Sequence, residues 1–164
     1  MKVGIVGCGK ISLSHISALK ELPGVEIVGV CDRDAQRAKE ASQAAGGVRI
    51  YSDLAEFLAR ERPQSVHILT PPATHAALAI QAMEAGCHVI VEKPMALSTQ
   101  EADSMLAAAR ANGVYLSTCH NYLFKPSILK ARELVRSGAI GPVIYVNSYY
   151  GLTGEGNSYA GPAG

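Results

Sequence analysis

A glycine-rich segment, GCGKIS at residues 7–12, lies between a predicted strand and a predicted helix near the start of the chain. A turn of this kind can bind a pyrophosphate. Gly7 permits the tight turn, and Gly9 lets the backbone approach the phosphates without a Cβ in the way. The backbone amides at the helix start, around Lys10 and Ile11, favour an anion. The segment therefore predicts a dinucleotide site.

An acidic residue, Asp32, follows the next predicted strand, 20 residues beyond Ser12, which stands where the pattern expects Gly or Ala. A carboxylate there can accept hydrogen bonds from ribose hydroxyls, and its charge opposes a 2′-phosphate. Arg33 can either stack on adenine or pair with that phosphate. We predict NAD as the cofactor, in preference to NADP. An S-adenosylmethionine site uses the same two features, so the motif alone leaves that alternative open.

Apolar β-branched runs alternate with alanine-rich helical patterns along most of the chain, which is typical of a parallel sheet covered by helices. The pattern predicts an α/β fold with a Rossmann-type doubly wound parallel sheet. The predicted strands are Lys2–Val6, Val25–Cys31, Val48–Tyr51, Ser65–Leu69, His88–Glu92 and Val114–Thr118. The predicted helices between them are Ile11–Leu22, Asp34–Ala45, Asp53–Glu61 with Ser52 as its cap, Ala73–Ala85, and one that ends at Ala111 and begins with a capping box of Ser98 and Glu101.

The pattern changes after the sixth strand. A helix is predicted over Pro126–Arg136, and a strand rich in β-branched and aromatic residues over Val143–Tyr150. No helix pattern follows that strand, and the glycine-rich stretch Gly151–Gly164 predicts a loop.

Composition narrows the class of protein. The 164 residues are 48% hydrophobic, with a formal net charge of +1, so a basic nucleic-acid surface is not expected. No apolar run approaches the ~20 residues of a membrane span, and we expect a cytoplasmic protein without a membrane partner. Four cysteines without a CxxC pair predict reduced thiols. The five histidines show no metal-site spacing, so no metal is predicted.

Several separated motifs resemble the Gfo/Idh/MocA oxidoreductase family, the relatives of glucose-fructose oxidoreductase and inositol dehydrogenase. They are TPPATHAALAIQAMEAGCHVIVEKP at residues 70–94, the glycine turn and the CDRD segment. The resemblance implies a nicotinamide-dependent dehydrogenase in which Lys93 contacts the reacting hydroxyl or carbonyl and assists proton transfer. The neighbouring Glu92 is expected to orient that lysine, and the resemblance also implies that the peptide bond before Pro94 is cis.

The resemblance implies further site residues. Thr70, Pro71 and His75 match a loop along the nicotinamide half of the cofactor, where His75 serves equally well as a packing residue. Asn121, after the sixth strand, matches a segment that borders the active site. We therefore expect each of these residues to contribute to binding.

Family members continue into an α+β domain that supplies much of the substrate pocket, a catalytic histidine and the oligomer interface. We expect residues 1–121 to form the dinucleotide-binding domain. Residues 122–164 would form the connecting helix and first strand of a truncated C-terminal α+β domain, so the chain is expected to be a fragment of a homo-oligomeric enzyme. The expected substrate is a sugar, cyclitol or related polyol. A non-catalytic NAD-binding scaffold or sensor is the alternative.

Overall fold

The computed structural model describes residues 1–148. The chain divides into two compact units, Met1–Cys119 and a second unit that begins at His120. The first unit consists, in chain order, of β1 (Lys2–Val6), α1 (Lys10–Lys20), β2 (Glu26–Cys31), α2 (Ala35–Ala44), β3 (Arg49–Tyr51), α3 (Leu54–Glu61), β4 (Ser65–Ile68), a 3-10 turn (Pro72–Thr74), α4 (His75–Glu84), β5 (His88–Val91), α5 (Thr99–Ala111) and β6 (Leu116–Thr118).

The six strands form one sheet in the order β3-β2-β1-β4-β5-β6, and every neighbouring pair is parallel. The predicted doubly wound Rossmann-type sheet is therefore confirmed. The order reverses between β1 and β4, and in such sheets a cleft opens at this point beyond the carboxyl ends of the strands.

Alternate residues of the central strands enter two separate cores. Val3 and Ile5 of β1 pack with α1 and α2 on one face of the sheet. Val6 and Val66 pack with α3, α4 and α5 on the other face. Because both faces are covered, the strands carry apolar side chains at nearly every position, as the sequence indicates.

Two glycines in neighbouring strands provide a flat surface for one aromatic ring. Gly4 and Gly29 are register partners in β1 and β2. A Cβ at Gly4 would lie 2.4 Å from Cζ of Phe57, and one at Gly29 would lie 2.8 Å from its Cε2. Phe57, on α3, is completely buried. The absence of side chains at these two positions lets α3 approach the sheet closely.

Side-chain caps fix the starts of three helices. Asp34 accepts hydrogen bonds from the amides of Gln36 and Arg37 at the start of α2. At α3 the cap is Asp53 rather than the predicted Ser52, because its carboxylate accepts from the Glu56 amide.

At α5, Ser98 accepts from the Glu101 amide as predicted, whereas the Glu101 carboxylate accepts from the Leu97 amide, one residue before the cap.

The longest described helix, α5, has 13 residues. No helix within residues 1–148 has the length and apolarity needed to cross a membrane.

The second unit begins with a 3-10 turn, Asn121–Phe124, and continues into α6 (Pro126–Arg136). The predicted strand Val143–Tyr150 is wrong where it can be compared, since residues 143–148 are not in a strand. The side chain of Ile144 is 94% exposed. A β-branched run becomes a strand only when a neighbouring strand pairs with its backbone. Residues 149–150 of that prediction and the predicted loop at 151–164 lie outside the described residues.

The packing of the Phe57 ring against Gly4 and Gly29 leads to a prediction about stability. Gly4→Ala should lower the free energy of unfolding by about 1–3 kcal/mol, because the new Cβ displaces the ring. In a Phe57→Leu background, which lacks the obstructing ring atoms, the same substitution should cost much less. Urea unfolding of the four proteins measures this coupling. Equal costs in both backgrounds would contradict the proposed packing.

Candidate cofactor site

A cavity of about 550 Å³ opens at the carboxyl edge of the sheet, around the ends of β1, β2 and β4. Its lining contains six of the residues that the sequence singled out, contributed by the glycine turn, the end of β2 and the loop after β4. They are Gly7, Gly9, Asp32, Arg33, Thr70 and Pro71. The topology thus brings together three segments that are distant in the sequence.

The two glycines of the turn differ in what requires them. Gly7 has φ +90°, and a Cβ there would lie 2.7 Å from the Thr70 amide nitrogen, so both the conformation and the packing require glycine. A Cβ at Gly9 would meet no atom within 4 Å. The protein itself therefore leaves open space in front of Gly9, and only an external group needs that space. This fits a pyrophosphate approaching the backbone.

The start of α1 suits an anion. Gly9 is the N-cap and supplies no side-chain cap, and the first turn contains no acidic residue. Lys10 is exposed at this helix start, whereas Ile11 packs against the core beside α1. Neither side chain lines the cavity, and the predicted role of these two residues in cofactor binding stays a prediction. Ser12 is completely buried and donates a hydrogen bond to the Gly9 carbonyl over 2.7 Å, so the fold accommodates its side chain at a position where the pattern expects Gly or Ala.

Asp32 connects the second strand to the glycine turn. Its Oδ2 accepts a hydrogen bond from the Cys8 amide at 2.6 Å, and its Oδ1 accepts from the Asp34 amide at 2.8 Å. Each carboxylate oxygen keeps a further lone pair for ribose hydroxyls. Burial, and then the charge of Asp32, raise the pKa of the Cys8 thiol to about 12. Cys8 therefore stays protonated and acts as a packing residue.

Several cavity residues were not predicted from the sequence. Arg37 of α2 lines the cavity, as Arg33 does, and its Nε is 3.3 Å from the Asp34 carboxylate. Asp53 and Leu78 complete polar and apolar parts of the wall. Helical periodicity places Arg37 on an exposed face but does not indicate that this face borders a cavity.

The side chain of His75 is completely buried, and its predicted part in cofactor binding stays a prediction. Its Nε2 lies 2.7 Å from the Thr70 carbonyl oxygen, and its Nδ1 lies 2.9 Å from the Pro94 carbonyl oxygen. The imidazole thus joins the loop after β4 to the segment after β5. Its contribution to the site is to position Thr70 and the Lys93–Pro94 turn.

Glu92 and Lys93 directly follow β5, and the Lys93–Pro94 peptide bond is cis, as the resemblance implies. Glu92 Oε2 accepts a hydrogen bond from the Lys93 amide over 3.1 Å. Glu92 therefore orients the backbone of Lys93, while the Lys93 side chain is exposed at the carboxyl edge. Neither residue lines the cavity that contains Asp32.

A histidine pair behind Glu92 was missed by sequence reasoning. His15 Nε2 lies 3.2 Å from Glu92 Oε1, and His15 Nδ1 lies 2.9 Å from His67 Nδ1. Burial, and then the neighbouring His15, lower the pKa of His67 to about 4, so its ring is neutral near pH 7. No sequence spacing indicates this network, because its members come from α1, β4 and the end of β5.

The four cysteines are free thiols, as predicted. Cys119 lies beside the same network, directly after β6. Burial, followed by its hydrogen bond to Glu92, raises the pKa of its thiol to about 11. Asn121, the remaining predicted contact, is exposed at the start of the 3-10 turn in the second unit. Its role in binding stays a prediction.

Comparison with known proteins agrees with this geometry. Residues 1–120 match a family described as "Oxidoreductase family, NAD-binding Rossmann fold" and designated GFO_IDH_MocA. The chain belongs to this family. The implied membership in the Gfo/Idh/MocA oxidoreductases is thereby confirmed.

Individual relatives in the Gfo/Idh/MocA family extend the comparison. The chain is 38% identical over 140 residues to D-apiose dehydrogenase of Paraburkholderia graminis, covering 85% of this chain and 37% of the relative. It is 30% identical over 133 residues to scyllo-inositol 2-dehydrogenase (NADP(+)) of Bacillus subtilis, covering 81% and 40%. The crystal structure of the WlbA dehydrogenase of Bordetella pertussis, in complex with NADH and UDP-GlcNAcA, superposes with a TM-score of 0.82 at 30% identity, covering 86% and 41%. The chain thus spans about two fifths of the length of these relatives.

The buried His67 generates a pH prediction. Its folded pKa is depressed below the unfolded value of 6.5, so unfolded chains bind more protons in this range. The contribution of neutral His67 to the free energy of unfolding should therefore be fully present above about pH 6.5. It should be lost as the pH falls towards 4, by up to about 3 kcal/mol.

Chemical unfolding of the wild type and a His67→Asn variant between pH 4 and pH 7.5 measures this contribution. The free energy of unfolding of the His67→Asn variant should fall less steeply with decreasing pH than that of the wild type. His88→Gln serves as a matched control, because His88 lies on the next strand outside this network. A variant curve parallel to the wild type would contradict the assignment.

Proposed function

We propose that this chain is the cofactor-binding part of an oxidoreductase that transfers hydride between NAD(H) and a sugar, cyclitol or related polyol. The observation that supports this most directly is the cavity in which Asp32 faces the glycine turn. Open space at Gly9 and an uncapped helix start favour a pyrophosphate there. Asp32 and Arg33 would hold the adenosine half, and the Thr70–Pro71 backbone would border the nicotinamide half.

NAD is favoured over NADP by the carboxylate of Asp32, whose charge repels a 2′-phosphate. Arg33 and Arg37 line the same cavity and would favour that phosphate. Asp32 is held at the end of β2 by two amide hydrogen bonds, whereas both arginines are exposed. The fixed carboxylate therefore carries more weight in our proposal than the exposed guanidinium groups.

The chemistry of the bound group is hydride exchange at the nicotinamide ring. This chain contributes Lys93, whose ammonium group can stabilise a developing alkoxide or move a proton at the substrate oxygen. Glu92 and His75 fix the turn that carries Lys93, through the Lys93 amide and the Pro94 carbonyl. A sensor would not need a lysine on a fixed backbone turn at this edge, so the arrangement favours an enzyme over a non-catalytic scaffold. The cytoplasmic location and homo-oligomeric state stay predictions.

Nucleotide binding tests the cofactor assignment. Calorimetric titration should show NADH binding to this chain more tightly than NADPH. Asp32→Asn should weaken NADH binding at least about tenfold, because a charged hydrogen bond contributes about 1.5–3 kcal/mol. NADPH affinity should change little, since repulsion of its phosphate is removed at the same time.

Asp34→Asn is the matched control, because Asp34 has the same charge two residues away and does not line the cavity. Thermal unfolding of each variant verifies folding. Failure of folded wild-type protein to bind either nucleotide would contradict the assignment.

Turnover tests the role of Lys93. We expect this chain alone to show no NAD reduction with sugars or cyclitols, because the relatives are more than twice as long. Lys93→Met should leave its NADH affinity within about threefold of the wild type. In a chain extended to family length, the same substitution should lower kcat by about 10²–10⁴, the usual contribution of general acid–base catalysis. Turnover by the present chain would refute the proposal that substrate residues lie outside it.

A further inference from the structure

Three unlike metal-ligand side chains meet at the carboxyl edge of the sheet. His15 lies on α1, Glu92 directly follows β5, and Cys119 directly follows β6. One nitrogen, one carboxylate oxygen and the sulfur lie within 4.8 Å of one another, and all three residues are partly buried. None of them lines the cavity around Asp32. The dinucleotide proposal uses Glu92 only to orient Lys93.

We propose that His15, Glu92 and Cys119 form a binding site for a divalent ion of the Zn²⁺ class. Zinc is bound in proteins by imidazole nitrogen, carboxylate oxygen and thiolate sulfur, usually in a tetrahedron. Magnesium and calcium take oxygen ligands, so this donor set disfavours them. Three protein ligands leave a fourth position for water or another oxygen, which is typical of zinc sites that are not purely structural.

The charges of the ligands match such an ion. A thiolate and a carboxylate together neutralise its two positive charges. On binding, the S–H bond of Cys119 breaks, its proton leaves to solvent and the sulfur–metal bond forms. The metal also replaces the proton on His15 Nε2, and His15 carries a proton on Nδ1 instead, with no change of oxidation state.

His67 supplies a second, independent feature of a metal site. A histidine that binds a metal through Nε2 carries its proton on Nδ1, and that N–H normally donates to a fixed acceptor. His15 Nδ1 lies 2.9 Å from Nδ1 of His67, whose ring is 7% exposed. With its own proton on Nε2, His67 can accept this hydrogen bond. His67 can therefore stabilise the tautomer of His15 that a metal requires, once the metal has replaced the proton on His15 Nε2.

The same groups also form a hydrogen-bonded cluster without an ion, in which His15 and the Cys119 thiol both donate to Glu92. The two states differ in one observable feature, a bond between sulfur and metal. Cobalt(II) reports that bond directly, because a thiolate ligand produces a charge-transfer absorption band that oxygen and nitrogen ligands do not.

The experiment is a titration of the chelator-treated chain with Co²⁺, followed by displacement with Zn²⁺. We expect one equivalent of Co²⁺ to give the thiolate band, and Zn²⁺ to abolish it. Cys119→Ser should remove the band, and Glu92→Gln should weaken binding at least tenfold. Cys87→Ser is the matched control and should keep the band, because Cys87 is buried against the Pro63 carbonyl, away from the cluster.

Variants of His67 separate its hydrogen-bonding role from a packing role. His67→Asn should bind Co²⁺ nearly as well as the wild type, since its amide oxygen can accept from His15. His67→Leu should bind it about 10–100-fold more weakly, the usual effect of losing such a partner. Equal affinities for the two variants would contradict the role assigned to His67.

The wild-type titration decides the main question even if a variant fails to fold. Absence of the thiolate band, or its persistence in folded Cys119→Ser, overturns the site. NADH binding is measured on the same samples. Nucleotide binding without the Co²⁺ band overturns the metal site alone, whereas the band without nucleotide binding contradicts the proposed function alone.

Discussion

The close approach of Gly7 to the backbone after β4 is the constraint on which the cleft depends. The strand order reverses between β1 and β4, and the chain leaves these two strands in directions that diverge over opposite faces of the sheet. Gly7 lies where the chain leaves β1, and Thr70 lies where it leaves β4. A Cβ at position 7 would lie 2.7 Å from the Thr70 amide nitrogen. A side chain there would force the two exits apart, and Asp32 could no longer bind the Cys8 amide at 2.6 Å.

Two histidines that do not line the cavity position the segments around it. His75 and His15 each use both ring nitrogens, and the segments they bind flank the Lys93–Pro94 turn. Such buried polar groups fix geometry because an unpaired ring nitrogen would cost about 1–3 kcal/mol. The exposed lysine thus depends on a layer of polar contacts beneath it.

Much of this arrangement could be predicted from the sequence because it depends on local signals. Strand and helix periods predict the sheet, and the glycine turn with Asp32 predicts the cavity. The His15–His67–Glu92 network could not be predicted, since only the tertiary fold brings α1, β4 and the end of β5 together. The strand expected at Val143–Tyr150 shows the converse over residues 143–148, because local β-propensity does not form a strand without a partner for its backbone. At α3, two adjacent residues could both cap the helix, and only the backbone geometry selects Asp53.

The contacts of His75 bear on how such a chain can be recombined with its relatives. Its two ring nitrogens lie at hydrogen-bond distance from the carbonyl oxygens of Thr70 and Pro94, which belong to different loops. A loop exchanged between homologues keeps its register here only if the imidazole and both acceptors are inherited together. Residues 70–94 therefore form one transferable block, and a crossover placed between the two loops would separate the histidine from one of its acceptors.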